Sequence, residues 1–129
     1  MAEVLSKNSQ GIARRSGGEI QVKYILDVRD FPDSPFKDCF VKDFSIIEND
    51  PEVEVVVETI GGAKVALEFT TRALKAGKSV VSSNKELVAT HGYELLQLAM
   101  ANGVSYLFEA SVGGGIPILR PLTNCLAAN

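Results

Sequence analysis

Val53 to Thr59, reading Val-Glu-Val-Val-Val-Glu-Thr, constrains this chain more than any other stretch, because β-branched residues at that density fit a strand. Gly61-Gly62 follows at once, which signals a tight turn into the next element. Beyond the turn, Ala66, Phe69, Thr70, Ala73 and Leu74 fall at helical spacing, and Gly77 is placed to close that helix in a left-handed cap. The alternation then repeats. Ser79 to Ser82 reads as a short strand. A helix follows Asn84 through Leu87 and Val88, with an expected break at Gly92 before it resumes through Leu95, Leu98 and Ala99 to Gly103. Val104 to Glu109 is the next strand and Val112 to Ile116 a glycine-rich loop. Pro117 suits the first turn of a helix running through Leu122 and Leu126.

Upstream, Ile20 to Val28 reads as a buried strand emerging at the polar edge formed by Asp27, Arg29 and Asp30. Phe31 to Val41 carries Pro32, Asp33, Ser34, Pro35 and Lys37, a proline-punctuated connection in which no regular element is expected. Asp43 is positioned to cap a short helix through Ile47, ended by Asn49-Asp50-Pro51. Residues 2 to 15, with Ala2, Leu5 and Ile12, run into Ser16-Gly17-Gly18 as a helix tail and its glycine stop. Strands separated by helices of this length pair in parallel through right-handed crossovers. The predicted fold is α/β, a Rossmann-like open parallel sheet with flanking helices. The chain is expected to open inside a helix, lacking the first strand and the glycine-rich loop of such a fold. Ligands in this architecture sit beyond the carboxyl ends of the strands.

Composition narrows the partners. With 13 Lys and Arg against 16 Asp and Glu, a net charge of −3 and no basic stripe, the chain has no footprint for nucleic acid. No apolar run approaches the roughly 20 residues that span a bilayer, so no membrane partner is expected. Cys39 and Cys125 stand far apart with no His or further Cys beside them, which suggests two reduced thiols. The first residues lack the pattern of a secretory signal, so a soluble, cytoplasmic protein is expected.

Four strand exits can carry chemistry: Asp27 to Asp30, Glu58 to Gly62, Ser82 to Lys85, and Glu109-Ala110-Ser111 before three glycines. All four are expected on one rim. Gly61-Gly62 before a helix offers close backbone approach and unpaired N–H groups to a phosphate or ribose, or is an ordinary turn. No G-x-G-x-x-G precedes the first helix. Arg29 nevertheless stands where a ribose reader belongs. An arginine favours a 2′-phosphate and Asp27 or Asp30 a free hydroxyl, while a solvated surface pair explains the same residues. Lys85, directly after a strand among hydroxyl and amide side chains, suits proton transfer or a plain helix start. His91 is expected in a helix-end contact at Gly92. Gly113 to Gly115 can turn successive carbonyls toward a hard cation, or form a flexible turn.

Three strings, Val-Val-Val-Glu-Thr-Ile-Gly-Gly at 55–62, Ala-Leu-Lys-Ala-Gly-Lys-Ser-Val-Val-Ser-Ser-Asn-Lys at 73–85 and Phe-Glu-Ala-Ser-Val-Gly-Gly-Gly-Ile-Pro-Ile at 108–118, together resemble homoserine dehydrogenase in order and spacing. Ile12 to Gly17 fits that family's first helix. Ala128 departs from a usual glycine and Ser82-Ser83 from the more frequent Thr-Ala. The resemblance implies reduction of L-aspartate 4-semialdehyde to L-homoserine with NADPH or NADH, a step toward threonine, methionine and isoleucine. It implies that Arg29 meets the adenosine 2′-phosphate and that Thr59, Ile60, Gly61 and Ser82 line the nicotinamide half of the cofactor. Lys85 then touches cofactor and substrate and serves in proton transfer, and Glu109, Val112, Gly114 and Ile116 match a sodium site. Residues 1–108 would be a truncated NAD(P)-binding domain, and residues 109–129 the junction to, and first helix of, a catalytic domain. A homo-oligomer is expected, and the chain alone is expected to be inactive. A related amino-acid or semialdehyde dehydrogenase, or a non-catalytic α/β interaction module, are the alternatives.

Overall fold

The computed structural model describes residues 20–108. The predicted opening helix at 2–15, the glycine loop at 112–116, the helix after Pro117, Glu109 and Cys125 lie outside the described residues.

Three parallel strands form the main sheet: β3 (Val55–Glu58), β4 (Ser79–Ser82) and β5 (Tyr106–Phe108), in the order β3-β4-β5. A second, two-stranded parallel sheet pairs β1 (Ile25–Leu26) with β2 (Phe40–Val41). Every residue of β4 is buried, as expected of a strand hydrogen-bonded on both sides and covered on both faces. One face carries Val56, Val80 and Tyr106 toward the helices α2 (Lys64–Lys75) and α3 (Lys85–Ala101). On the other face Val55, Val57, Leu107, Ile20 and Val22 pack against Val81.

Helix α2 follows from the spacing of its apolar positions. Ala66, Thr70, Ala73 and Leu74 share the buried side, and Gly77 closes the helix at φ +80°, where a side chain would be strained. A short helix, α1 (Phe44–Glu48), begins where Asp43 accepts a hydrogen bond from Ser45 N at 2.9 Å, as the cap position predicts. It is docked on α2 through stacking of Phe44 on Phe69 at 4.7 Å and through the Arg72 to Glu48 ion pair.

Three expectations are corrected. The strand predicted over Ile20 to Val28 is reduced to Ile25–Leu26, because only those two residues find a ladder partner. Ile20 and Val22 instead pack on the main sheet, while Lys23 and Tyr24 are tied by their side chains to Asp50 at 2.6 Å and 2.7 Å. The connection from Phe31 to Val41 is not wholly irregular, since a 3-10 turn at Lys37–Cys39 leads into β2. Proline ends its influence at Pro35, and Phe40-Val41 is a pair suited to an extended ladder. Finally, α3 does not break at Gly92. It is continuous, with Gly92 on its buried side, where an added Cβ would meet Val88 Cγ1 at 3.4 Å. A helical glycine costs about 1 kcal/mol, which packing along seventeen residues offsets. His91 consequently sits inside the helix with Nδ1 3.5 Å from Glu94, and not at a helix end. No helix among the described residues is long and apolar enough to cross a membrane.

Leu74 is fully buried between the helices and the sheet, so Leu74→Ala should cost about 2–5 kcal/mol by urea denaturation. Acid should weaken the attachment of the Lys23-Tyr24 segment. Hydrogen bonds from Lys23 and Tyr24 hold the Asp50 carboxyl down at about 2, against an ordinary 3.8. Its stabilisation is therefore complete above 3.8 and is lost as pH falls toward 2. Thermal melts across that interval should show a steeper decline for the wild type than for Asp50→Asn.

Candidate functional site

Parallel pairing brings three strand ends side by side. In register, Glu58 faces Ser82 and Ser82 faces Phe108, so the chain leaves all three strands along one edge. Each exit then turns differently. After β3 the backbone runs through Thr59, Ile60 and Gly61 to Gly62, which at φ +83° makes the turn into α2. After β4 only Ser83 and Asn84 intervene before α3 begins at Lys85.

A closed polar network binds the first two exits. Glu58 is 4% exposed at the end of an otherwise apolar strand, and its carboxylate is satisfied at both oxygens. Oε1 accepts from Ile60 N at 2.5 Å and Oε2 from Ser82 Oγ at 2.7 Å. Ser82 Oγ in turn accepts from Asn84 N at 3.1 Å. Asn84, 8% exposed, donates through Nδ2 to the carbonyls of Ile60 at 2.7 Å and Gly62 at 2.6 Å, while Oδ1 accepts from Leu87 N at 3.0 Å and so caps α3. Tyr106, 3% exposed, brings its hydroxyl to the same place with no hydrogen-bond partner among the described residues. Burial pushes that hydroxyl's pKa up; proximity to Ser82 opposes the shift and the Glu58 charge adds to it.

Thr59, Ile60, Gly61, Ser82 and Lys85, from two of the four exits expected on one rim, are thus gathered along one edge, whereas the Arg29 exit follows a strand of the other sheet and Glu109 lies outside the described residues. Their availability differs. Thr59, Gly61 and Lys85 are exposed, whereas the Ser82 side chain is buried and its hydroxyl is engaged both as donor and as acceptor. A Cβ added at Gly61 would meet nothing within 4 Å. Among the described residues, packing therefore does not demand glycine there and leaves room for a closely approaching ligand. A cavity of about 180 Å³ opens at the β4 exit, lined by Ser82, Ser83, Asn84, Lys85, Val88, Ala89 and Phe108.

Arg29 belongs to the other sheet, following β1, and no hydrogen bond or ion pair among the described residues ties it to the rim. Its guanidinium grips Asp27 through Nε at 3.1 Å and Nη2 at 2.9 Å, and lies over the Phe31 ring at 5.1 Å. Arg29 side-chain and backbone hydrogen bonds hold the Asp27 carboxyl down at about 2. Even so, the Arg29 side chain is 73% exposed and keeps Nη1 free of Asp27. Glu109, Val112, Gly114 and Ile116 lie outside the described residues. Sequence reasoning gave no role to Glu58 or Tyr106 individually, and it read the Asn84 amide as a hydrogen-bonding group for a ligand, whereas the structure turns it inward to Ile60, Gly62 and Leu87. A carboxylate ending an apolar run just before a glycine turn, and an Asn just before a helix, were the available signals.

The sequence model of the family described as "Homoserine dehydrogenase, NAD binding domain" matches residues 8–109. The chain is 41% identical over 128 residues to the homoserine dehydrogenase of Pseudomonas aeruginosa, covering 98% of this chain and 29% of that relative. It is 35% identical over 134 residues to that of Bacillus subtilis, covering 100% and 30%. It therefore spans about 30% of the length of these curated relatives. The crystal structure of a homoserine dehydrogenase from Thiobacillus denitrificans matches the fold with a TM-score of 0.76 at 38% identity, over 93% of this chain and 28% of that one. A structure of Staphylococcus aureus homoserine dehydrogenase gives 0.73 at 32% identity, over 84% and 28%. With the rim, the glycine turn and the parallel order all in place, the chain belongs to the NAD-binding domain family of homoserine dehydrogenases.

Proposed function

We propose that this chain is the cofactor-binding part of an enzyme that interconverts L-aspartate 4-semialdehyde and L-homoserine using NADPH or NADH. The observation that carries the proposal is the joining of the Thr59–Gly62 turn to the Ser82–Lys85 exit on one rim. The open space at Gly61 and the start of α2 fit a dinucleotide at that turn. When bound, the nicotinamide supplies or accepts the hydride. The chain's own residues bind, orient and move a proton. Thr59, Ile60 and Gly61 flank the nicotinamide half through backbone and hydroxyl groups. Ser82 contributes by fixing the turn, since its hydroxyl is already shared between Glu58 and Asn84. Lys85, exposed on the rim at the mouth of the cavity, is the proton donor to the developing alkoxide during reduction and takes the proton back in the reverse direction.

Arg29 reads the adenosine 2′-phosphate with the donors that Asp27 leaves free, and Asp27 remains an acceptor suited to a free 2′-hydroxyl. A sodium ion held by Glu109, Val112, Gly114 and Ile116 belongs to the same proposal, supported by consecutive glycines whose carbonyls can converge. So do the division into a cofactor-binding unit at 1–108 and a junction at 109–129, the inactivity of residues 1–129 by themselves, assembly as a homo-oligomer, and a cytoplasmic location.

A chimera tests this reading. Residues 1–129 replace the matching segment of the Pseudomonas aeruginosa enzyme, and consumption of NADPH with aspartate semialdehyde is followed by absorbance. Turnover is expected, and a folded chimera that consumes no cofactor would sink the proposal. In an active chimera, Lys85→Ala should lower kcat by on the order of 100- to 10,000-fold. Near-wild-type turnover would remove Lys85 from proton transfer. Arg29→Ala should weaken NADPH by about ten- to hundredfold, the scale of lost charge-assisted hydrogen bonds, and NADH much less. Equal losses in a fluorescence titration would exclude a phosphate-reading role.

A further inference from the structure

Asn84 makes more hydrogen bonds at the rim than a helix cap requires, and we infer that it is a positioning residue that locks the Ile60–Gly62 turn and the first turn of α3 into one unit. The inference rests on the cofactor-binding reading of this rim and names the device that sets its two sides. A cap needs one acceptor, and Oδ1 supplies it to Leu87 N. The two remaining bonds leave from Nδ2 to the carbonyls of Ile60 and Gly62, either side of the exposed Gly61. Only this amide orientation places a donor before two carbonyls and an acceptor before an N–H group. The ring closes through the backbone, because Asn84 N donates to Ser82 Oγ, Ser82 Oγ to Glu58, and Glu58 accepts from Ile60 N. Both the N–H and the C=O of Ile60 are thereby held. Lys85 is the next residue after Asn84, so the unit that fixes the turn also fixes where Lys85 enters the helix. Asn84 touches neither hydride nor proton. It acts by keeping the Thr59–Gly61 backbone and Lys85 at one separation.

Two substitutions divide this role from ordinary capping. Asn84→Asp keeps an acceptor for Leu87, since Asn and Asp cap about equally. It sets a carboxylate oxygen against the Ile60 and Gly62 carbonyls in place of the donor. Asn84→Ala removes both functions. If Asn84 only capped α3, the Asp variant would match the wild type. If it positions the rim, then in the active chimera both variants should raise KM for NADPH and lower kcat by about 100-fold, the scale of a misplacement of about 1 Å. Thermal unfolding should show Asn84→Asp folded. Wild-type kcat and KM in Asn84→Asp would overturn the inference. Amide hydrogen exchange on residues 1–129 themselves decides the matter apart from catalysis. In Asn84→Asp the turn loses the two Nδ2 bonds to the Ile60 and Gly62 carbonyls, and with the turn loosened the Ile60 amide, which donates to Glu58, should exchange about tenfold faster, while the Leu87 amide stays protected. Unchanged protection at Ile60 would refute the locking even in an active enzyme. An unsubstituted chimera without turnover would overturn the cofactor-binding reading, and the exchange result would still stand or fall by itself.

Discussion

Everything in the described part of this chain is referred to β4. All four of its residues pair with β3 and three of them, Val80 to Ser82, with β5, and all four are buried. A strand in that position has no polar edge to give away, so its sequence is held to Ser-Val-Val-Ser, with the apolar pair central and a hydroxyl at each end. Val80 joins the cluster under the two long helices and Val81 the cluster under Ile20 and Val22. One residue of register slip would exchange those faces. Ser79 and Ser82 then serve the strand's two ends, the first accepting from Ser105 N and the second entering the Glu58 network.

Placing a carboxylate, a hydroxyl and a phenol at the end of an apolar sheet is costly unless each finds partners. Glu58 and Ser82 do, with Asn84 completing the ring. The Tyr106 hydroxyl has none among the described residues. This pattern separates the rim from the opposite end of the sheet, where Lys78 Nζ donates to the carbonyls of Asp50 and Val53 and merely ties a loop down. At the rim the buried bonds hold a turn whose outer side, at Thr59 and Gly61, is left open. The network faces inward and the open backbone outward, the arrangement of a supported binding edge.

How much of this the sequence carried depends on how local the cause was. The β3 to α2 turn, the Gly77 cap, the Asp43 cap and the limits of β4 are set by residues within a turn of each other, and all are legible. What was not legible depended on partners distant in the chain. Ile20 to Leu26 has strand composition throughout, but only Ile25 and Leu26 meet β2, and nothing in the segment itself says so. Gly92 reads as a break until the buried side of α3 is known. The rim residues were readable as a set because strand exits in a parallel sheet converge. The internal ties were not, since Glu58, Ser82 and Asn84 are linked across β3 and β4 by register. A sequence pattern gives register only where one face is buried and the other is not. Here both are covered.

The two sheets also differ in what they can hold steady. Among the described residues β1 pairs only with β2, and no hydrogen bond joins that pair to the β3-β4-β5 sheet. The rim around Gly61 and Lys85 stands on the fully paired sheet. Arg29 stands on a two-residue strand, fastened by its grip on Asp27 and by the Lys42 bond to its carbonyl at 2.7 Å. A guanidinium fixed by an adjacent carboxylate is oriented before any ligand arrives, which lowers the ordering cost of a new contact. The same carboxylate also opposes an incoming anion. Asp27 therefore acts on both sides of the proposed choice between cofactors: it aims the arginine at a phosphate, and its own charge favours a hydroxyl. Under the proposed reading, discrimination at this position would be set by the pair, and a substitution at Asp27 would change it as one at Arg29 would.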